Sequence, residues 1–290
     1  MISAARHRMT ATRRQRARVS HFLFASDLSG TQHRQRYLDC TCRKPFKHPT
    51  TIMSTYINPY AVGMVADSPE SARAEFIRKT YGHLAAAIAV FAVLEGVLLS
   101  LGLGQGALEL LGASHYSWLM VMAAFIAVSW VAERWATNGS SIGMQYAGLL
   151  LYTVAEAVIF LPLIALAIGL TGDGSLVLQA GLITAAMVLG ISAIALTTKR
   201  DFSFLGGILK IGGFVALGLI VASFFLPISL GLWFSGAMII FASGAILYHT
   251  SNLLHRYQPG QHVAASLSLF ASVALLFWYV LRFLMSFNRN

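Results

Sequence analysis

The sequence predicts an all-α integral membrane protein, a bundle of about seven transmembrane helices, and three observations carry that prediction. First, 57% of the 290 residues are hydrophobic and only 11% are charged. A soluble domain carries about 25% charged residues because its surface faces water; a chain this poor in charge must meet lipid instead. Second, mean hydropathy is +0.67, and it is concentrated in seven segments near 83–104, 116–134, 143–169, 175–197, 204–226, 229–249 and 262–286. Each approaches the ~20 apolar residues needed to cross a hydrocarbon core of roughly 30 Å. Third, the breaks are short and hold turn formers, such as Gly172-Asp173-Gly174 and Pro227. Loops this tight force antiparallel neighbours.

Ahead of the spans lies a basic leader, residues 1–52, with eleven Lys/Arg and two acidic residues; residues 53–290 hold ten and nine. The net charge of +10 therefore belongs to the leader, and no nucleic-acid partner is needed to explain it. Two readings of the leader compete. Arginines at 6, 8, 13, 14, 16 and 18 with no acid before Asp27 suit a mitochondrial presequence. The preferred reading is an over-long start in a bacterial gene, with Met53 the initiator. Cys40 and Cys42 lie in the same leader; one C-x-C without nearby partners is weak evidence for a metal site and gives no disulfide framework.

Residues 53–82 read as a juxtamembrane segment. Ser68-Pro69-Glu70 predicts a short helix, with Ser68 as cap and proline at the first position. The seven-span domain follows over 83–286. Pro162 predicts a kink or tilt in the long third span. Arg73, Arg78, Lys79, Arg134, Lys199, Arg200 and Arg256 all fall on one side of the predicted membrane, and the loops on the other side hold no Lys or Arg. That bias places the N-terminus in the cytoplasm. Trp118, Trp130 and Trp135 sit near span ends, where interfacial rings are favoured. Gly206-Gly207 and Gly212-Gly213 predict close helix packing.

Ionisable groups inside spans are costly and are functional candidates by default. Glu95 in the first span and Glu156 in the third are either neutral packing acids or part of a cation path. Lys210, near the start of the fifth span, reads as a snorkelling side chain. His249, at the end of the sixth, titrates near physiological pH when unperturbed and is a candidate pH sensor; Thr250, Ser251 and Asn252 beside it read as ordinary helix-terminating residues. No GxxxxGK[ST], HExxH, GxSxG or DFG set occurs, so the chain is not read as an enzyme.

Several stretches resemble the Bax inhibitor family of seven-span proteins. These are Phe76-Ile77-Arg78-Lys79-Thr80-Tyr81-Gly82-His83-Leu84, Tyr152-Thr153-Val154-Ala155-Glu156, the inner-loop run Thr198-Lys199-Arg200-Asp201-Phe202-Ser203-Phe204-Leu205-Gly206, and Ile246-Leu247-Tyr248-His249-Thr250. The resemblance spans about residues 70–286. It implies a bundle with the last helix central. It also implies a pH-sensitive calcium leak controlled by two aspartates on spans six and seven, or control of a membrane-anchored AAA protease. Eukaryotic members restrain cell death and lower stored calcium.

The sequence departs from that pattern at the switch. His249 stands where the family's Tyr-Asp-Thr has its aspartate, and Ser272 takes the second position when Arg282 is matched to the family's helix-end arginine. Two carboxylates can share a proton and ligate calcium; a histidine and a serine cannot do so in the same way. Two function classes follow. One is a calcium or cation leak with His249 as an altered gate and Glu156 on the path, in which protonation near pH 6–7 adds positive charge and closes a calcium route. The other is a non-conducting regulator of an AAA protease or a stress pathway. No cofactor is expected, and calcium enters only as a transported ion. The expected partners are the lipid bilayer and such a protease. The expected location is a bacterial inner membrane, with the mitochondrial inner membrane as alternative.

Overall fold

The computed structural model describes residues 64–114, 116–139, 141–198, 200–226 and 230–288. The leader with its arginines and cysteines, Met53, Lys199, Pro227 and Arg289 lie outside the described residues. The described part falls within one compact unit and has no strand.

A 3-10 turn, Val65–Asp67, leads into eight helices: α1 Glu70–Ser100, α2 Leu103–Gly112, α3 Ser117–Ala136, α4 Ile142–Thr171, α5 Ser175–Thr198, α6 Leu205–Phe225, α7 Leu232–His255 and α8 His262–Asn288. All but α2 are long and apolar enough to cross a membrane. They alternate in direction, so α1, α4, α6 and α8 start at one end. That end holds Arg73, Arg78, Lys79, Arg134, Arg200 and Arg256 and is called the basic end below.

Four expectations about boundaries change. Ser68 does not cap α1; its hydroxyl donates to the Met64 carbonyl at 3.3 Å, and Pro69 stands at the cap position with no side-chain bond. The juxtamembrane helix and the first span are one helix of 31 residues, about 46 Å long. That exceeds the hydrocarbon thickness, so the charged first turns extend beyond it. The loop expected at 105–115 is largely α2, entered after Gly102 with a φ of 75°. Finally, α7 does not stop at His249. It continues to His255, and Thr250, Ser251 and Asn252 are buried helical residues.

Elsewhere the turn chemistry is as expected. Gly172, at φ 76°, ends α4 and donates to the Ile168 carbonyl at 2.8 Å. Asp173 then accepts from the Ser175 amide at 3.0 Å and its hydroxyl at 2.6 Å, turning the chain into α5.

The core is built around α8. Of its most apolar stretch 72% is buried, against 50% for α4 and 28% or less for the rest. It packs against α1, α3, α4, α5 and α7, and Tyr279 reaches Ala216 of α6 in a small cluster with Met238. Lipid tails are as apolar as leucine, so close packing rather than exclusion of water holds such a bundle. Phe160 stacks on Phe277 at 5.6 Å and meets the edge of Trp278 at 5.0 Å; pairs of this kind contribute about 0.5–1.5 kcal/mol beyond area. Trp118 stacks on Trp278 at 5.7 Å, whereas Trp130 and Trp135 are exposed near the basic end.

Glycine serves two purposes here. Gly148 lets α4 touch the α3 backbone. Gly206 and Gly212 instead make room for the rings of Tyr248 and Phe241. Gly207 meets nothing within 4 Å, so it has no packing role.

At the basic end, His83 ties α1 to α4 through a 2.9 Å bond shared with Tyr146. Its ring also lies 5.0 Å from that of His262 on α8. The 3-10 turn is pinned there too, by the Val65 amide donating to the Tyr257 carbonyl at 3.0 Å.

Candidate functional site

Three of the four candidate residues inside spans line one cavity of about 910 Å³ between α3, α4, α6, α7 and α8: Glu156, His249 and Ser272. Glu156 is 5% exposed. Tyr152, four residues earlier on the same face, interacts with its carboxyl. The Ser272 hydroxyl is spent locally, donating to the Ser268 carbonyl at 3.0 Å, as serines in apolar helices commonly do. His249 stands against the Tyr248 ring at 5.2 Å, and Tyr248 in turn fills the space over Gly206.

Two cations complete the cavity wall, Lys210 from α6 and Arg282 from α8. Arg282 donates to the Leu230 carbonyl at 3.5 Å. The snorkelling reading of Lys210 suits its exposure but omits that it faces the same space as Glu156. Span periodicity cannot reveal this, because every face of α6 is apolar.

Glu95 is elsewhere. It lines a second cavity of about 730 Å³ between α1, α4, α5 and α8, so the two glutamates do not share a path. Among the described residues no group of three or more His, Cys, Asp or Glu side chains could hold a metal ion.

The α5–α6 loop sits on α7. Ser251 accepts from the Phe202 amide at 3.1 Å and donates to the Arg200 carbonyl at 3.4 Å, so Ser251 positions the loop rather than ending a helix. Asp201 accepts from the Ser203 amide at 2.9 Å and from its hydroxyl. Those bonds, with the charges of His255 and Arg256 behind them, hold the Asp201 carboxyl below its ordinary range. A depressed carboxylate contributes order that is present above its unfolded value and lost as pH falls through the folded one. Asp201→Asn is therefore expected to speed amide exchange at 202–205 at pH 7, with the difference from the parent shrinking in acid. Equal exchange at pH 7 would contradict this account of the loop.

Residues 73–289 match the sequence model of the family described as inhibitor of apoptosis-promoting Bax1. The chain belongs to the Bax inhibitor family. It is 27% identical over 229 residues to Bax inhibitor 1 of Schizosaccharomyces pombe, covering 78% of this chain and 82% of that one. It is 38% identical over 117 residues to an uncharacterised protein of Pseudomonas aeruginosa, 40% of this chain and 52% of that protein; the alignment thus spans about half of that relative. Over 95 residues it is 41% identical to the modulator of FtsH protease YccA of Escherichia coli, 32% of this chain and 43% of that one. The seven long apolar helices of the described residues fit an integral membrane bundle.

Proposed function

We propose that the chain is a non-conducting membrane regulator of a membrane-anchored AAA protease. The observation that supports this best is the donor set of the larger cavity. Among the described residues, Lys210, Arg282 and the His249 imidazole share the cavity with a single carboxylate, Glu156. Calcium takes about six to eight oxygen ligands, carboxylates foremost, and two fixed cations repel it. A relative of matching sequence is named as a modulator of the FtsH protease, and another bears the name of an inner membrane protein. The reading places the basic end, with the N-terminus, in the cytoplasm of a bacterial inner membrane, and treats residues 1–52 as separate from the membrane domain.

Tagged protein recovered from native bacterial membranes is expected to bring the protease with it and to slow turnover of a membrane substrate. Solitary recovery with unchanged turnover would overturn the proposal. A second reading, the cation leak, is favoured by Glu156 and His249 facing one cavity. Under it, flux falls as protonation of His249 adds charge to that cavity; liposomes loaded with a calcium dye and silent from pH 5.5 to 8 would exclude it.

A further inference from the structure

The second cavity is bordered by an acid with nothing to bind. Glu95 on α1 and Thr184 on α5 are each 4% exposed. Among the described residues neither oxygen of the Glu95 carboxyl has a hydrogen-bond partner, and neither does the Thr184 hydroxyl. Both residues line the 730 Å³ space, whose remaining wall is apolar or aromatic and includes Phe91, Phe270 and Phe277. Among the described residues no Lys, Arg or His lines it. A buried carboxyl without a partner costs several kcal/mol when ionised, and unsatisfied polar groups in a native fold call for an explanation.

The cavity is also open to lipid. Ile88 of α1 and Leu178, Leu182 and Leu189 of α5 belong to its lining and are exposed on the outer surface of the bundle. An occupant can enter sideways, between α1 and α5, without passing through water.

We propose that this cavity binds a lipophilic amine. A primary ammonium head is held by Glu95, with Thr184 as second acceptor, and an apolar body fills the space lined by the three phenylalanines. The chemistry selects this class over its neighbours. An anionic amphiphile meets a carboxylate with no compensating cation. A neutral chain leaves both Glu95 oxygens orphaned. An ammonium supplies up to three N–H donors, makes charge-assisted bonds and can lie over an aromatic face. The volume falls in the range of small-molecule sites, about 300–1,000 Å³. The Glu95 oxygens are sealed from water, so the head draws the carboxyl into the cavity by a rotamer change. The proposal does not depend on the protease reading, because it concerns the opposite side of α4 and α8.

The test is saturable binding of radiolabelled dodecylamine to the full chain in nanodiscs, measured over empty nanodiscs. The parent is expected to bind saturably, with dodecanol and dodecanoate failing to compete. Glu95→Gln keeps size and polarity and removes the charge, and it is expected to weaken binding about ten- to a hundredfold, the usual worth of a charge-assisted bond. Thr184→Val should weaken it less. Thermal unfolding of each variant in the same nanodiscs separates lost binding from lost folding. If Glu95→Gln folds poorly, the competition series on the parent decides alone. Equal competition by dodecanol, equal binding by a folded Glu95→Gln variant, or no saturable binding by the parent would each overturn the proposal.

Discussion

Gly148→Ala is expected to destabilise the folded bundle by about 1–3 kcal/mol, the usual cost of forcing atoms into a filled contact. A Cβ at residue 148 would lie 2.5 Å from the Ala132 carbonyl oxygen, 2.5 Å from the Ala136 amide nitrogen and 3.0 Å from the Trp135 Cβ. Two of those three atoms are backbone, so no side chain can swing aside. The α3 helix must move bodily from α4, and it takes with it Phe125, whose ring lies 6.0 Å from that of Tyr152, and Trp118 against Trp278. The loss should therefore appear both in stability and in the shape of the larger cavity. Gly82→Ala is the matched control, since a Cβ there meets nothing within 4 Å. It should be neutral or stabilising, because alanine is a better helix former by about 1 kcal/mol. Denaturant unfolding in one detergent measures both variants. A Gly148→Ala protein as stable as its parent would show that α3 and α4 are not in backbone contact.

That contact could not be read from the sequence, and the reason is general to this chain. Low charge and apolar length identify a span and locate its ends, because they report the thickness of the medium. They do not report rotation about the helix axis, which needs a contrast between faces. In the membrane-spanning stretches of α1 and α4 every face is largely apolar, so the sequence places Glu95 and Glu156 at similar depth and leaves open that they face different cavities. Glycines were legible as small residues but not by role: Gly148 meets backbone, Gly206 meets a ring, and Gly207 meets nothing. The errors at the ends have a different origin. The charges at Arg73, Glu75, Arg78 and Lys79 read as a boundary, yet none of them interrupts a helix, and Lys79 pairs with Glu75 at 2.7 Å within it. Thr250, Ser251 and Asn252 read as terminators because such side chains compete for backbone groups in water. Buried against the α5–α6 loop, Ser251 finds that loop's backbone instead. The family motifs, by contrast, were legible as strings, and three of the four residues read as candidates for an ion path or pH sensing line one cavity.

The convergence makes a gain of activity testable. His249→Asp combined with Ser272→Asp is expected to give a pH-dependent calcium flux in liposomes that the parent lacks. Both positions line the larger cavity on the packed pair α7 and α8, so the double change adds two carboxylates to the one, Glu156, already in that low-dielectric space. Such a pair holds a shared proton and repels itself once both members ionise, and with Glu156 it supplies oxygens suited to calcium. The single changes are the informative controls. Ser272→Asp alone leaves the imidazole in the cavity, and His249→Asp alone leaves a serine whose hydroxyl is committed to the Ser268 carbonyl; each sets one new carboxylate beside Glu156 and supplies fewer oxygens for calcium than the double change, so each should conduct less. Flux in the double variant together with a silent parent would mean that the bundle retains a conduit whose switch this chain has replaced, consistent with a regulator that does not leak. A silent double variant that still folds would point to Lys210 and Arg282 as the barrier. Adding Lys210→Gln then becomes the deciding change, because it removes the cation exposed on the cavity wall while leaving the Arg282 bond to the Leu230 carbonyl intact.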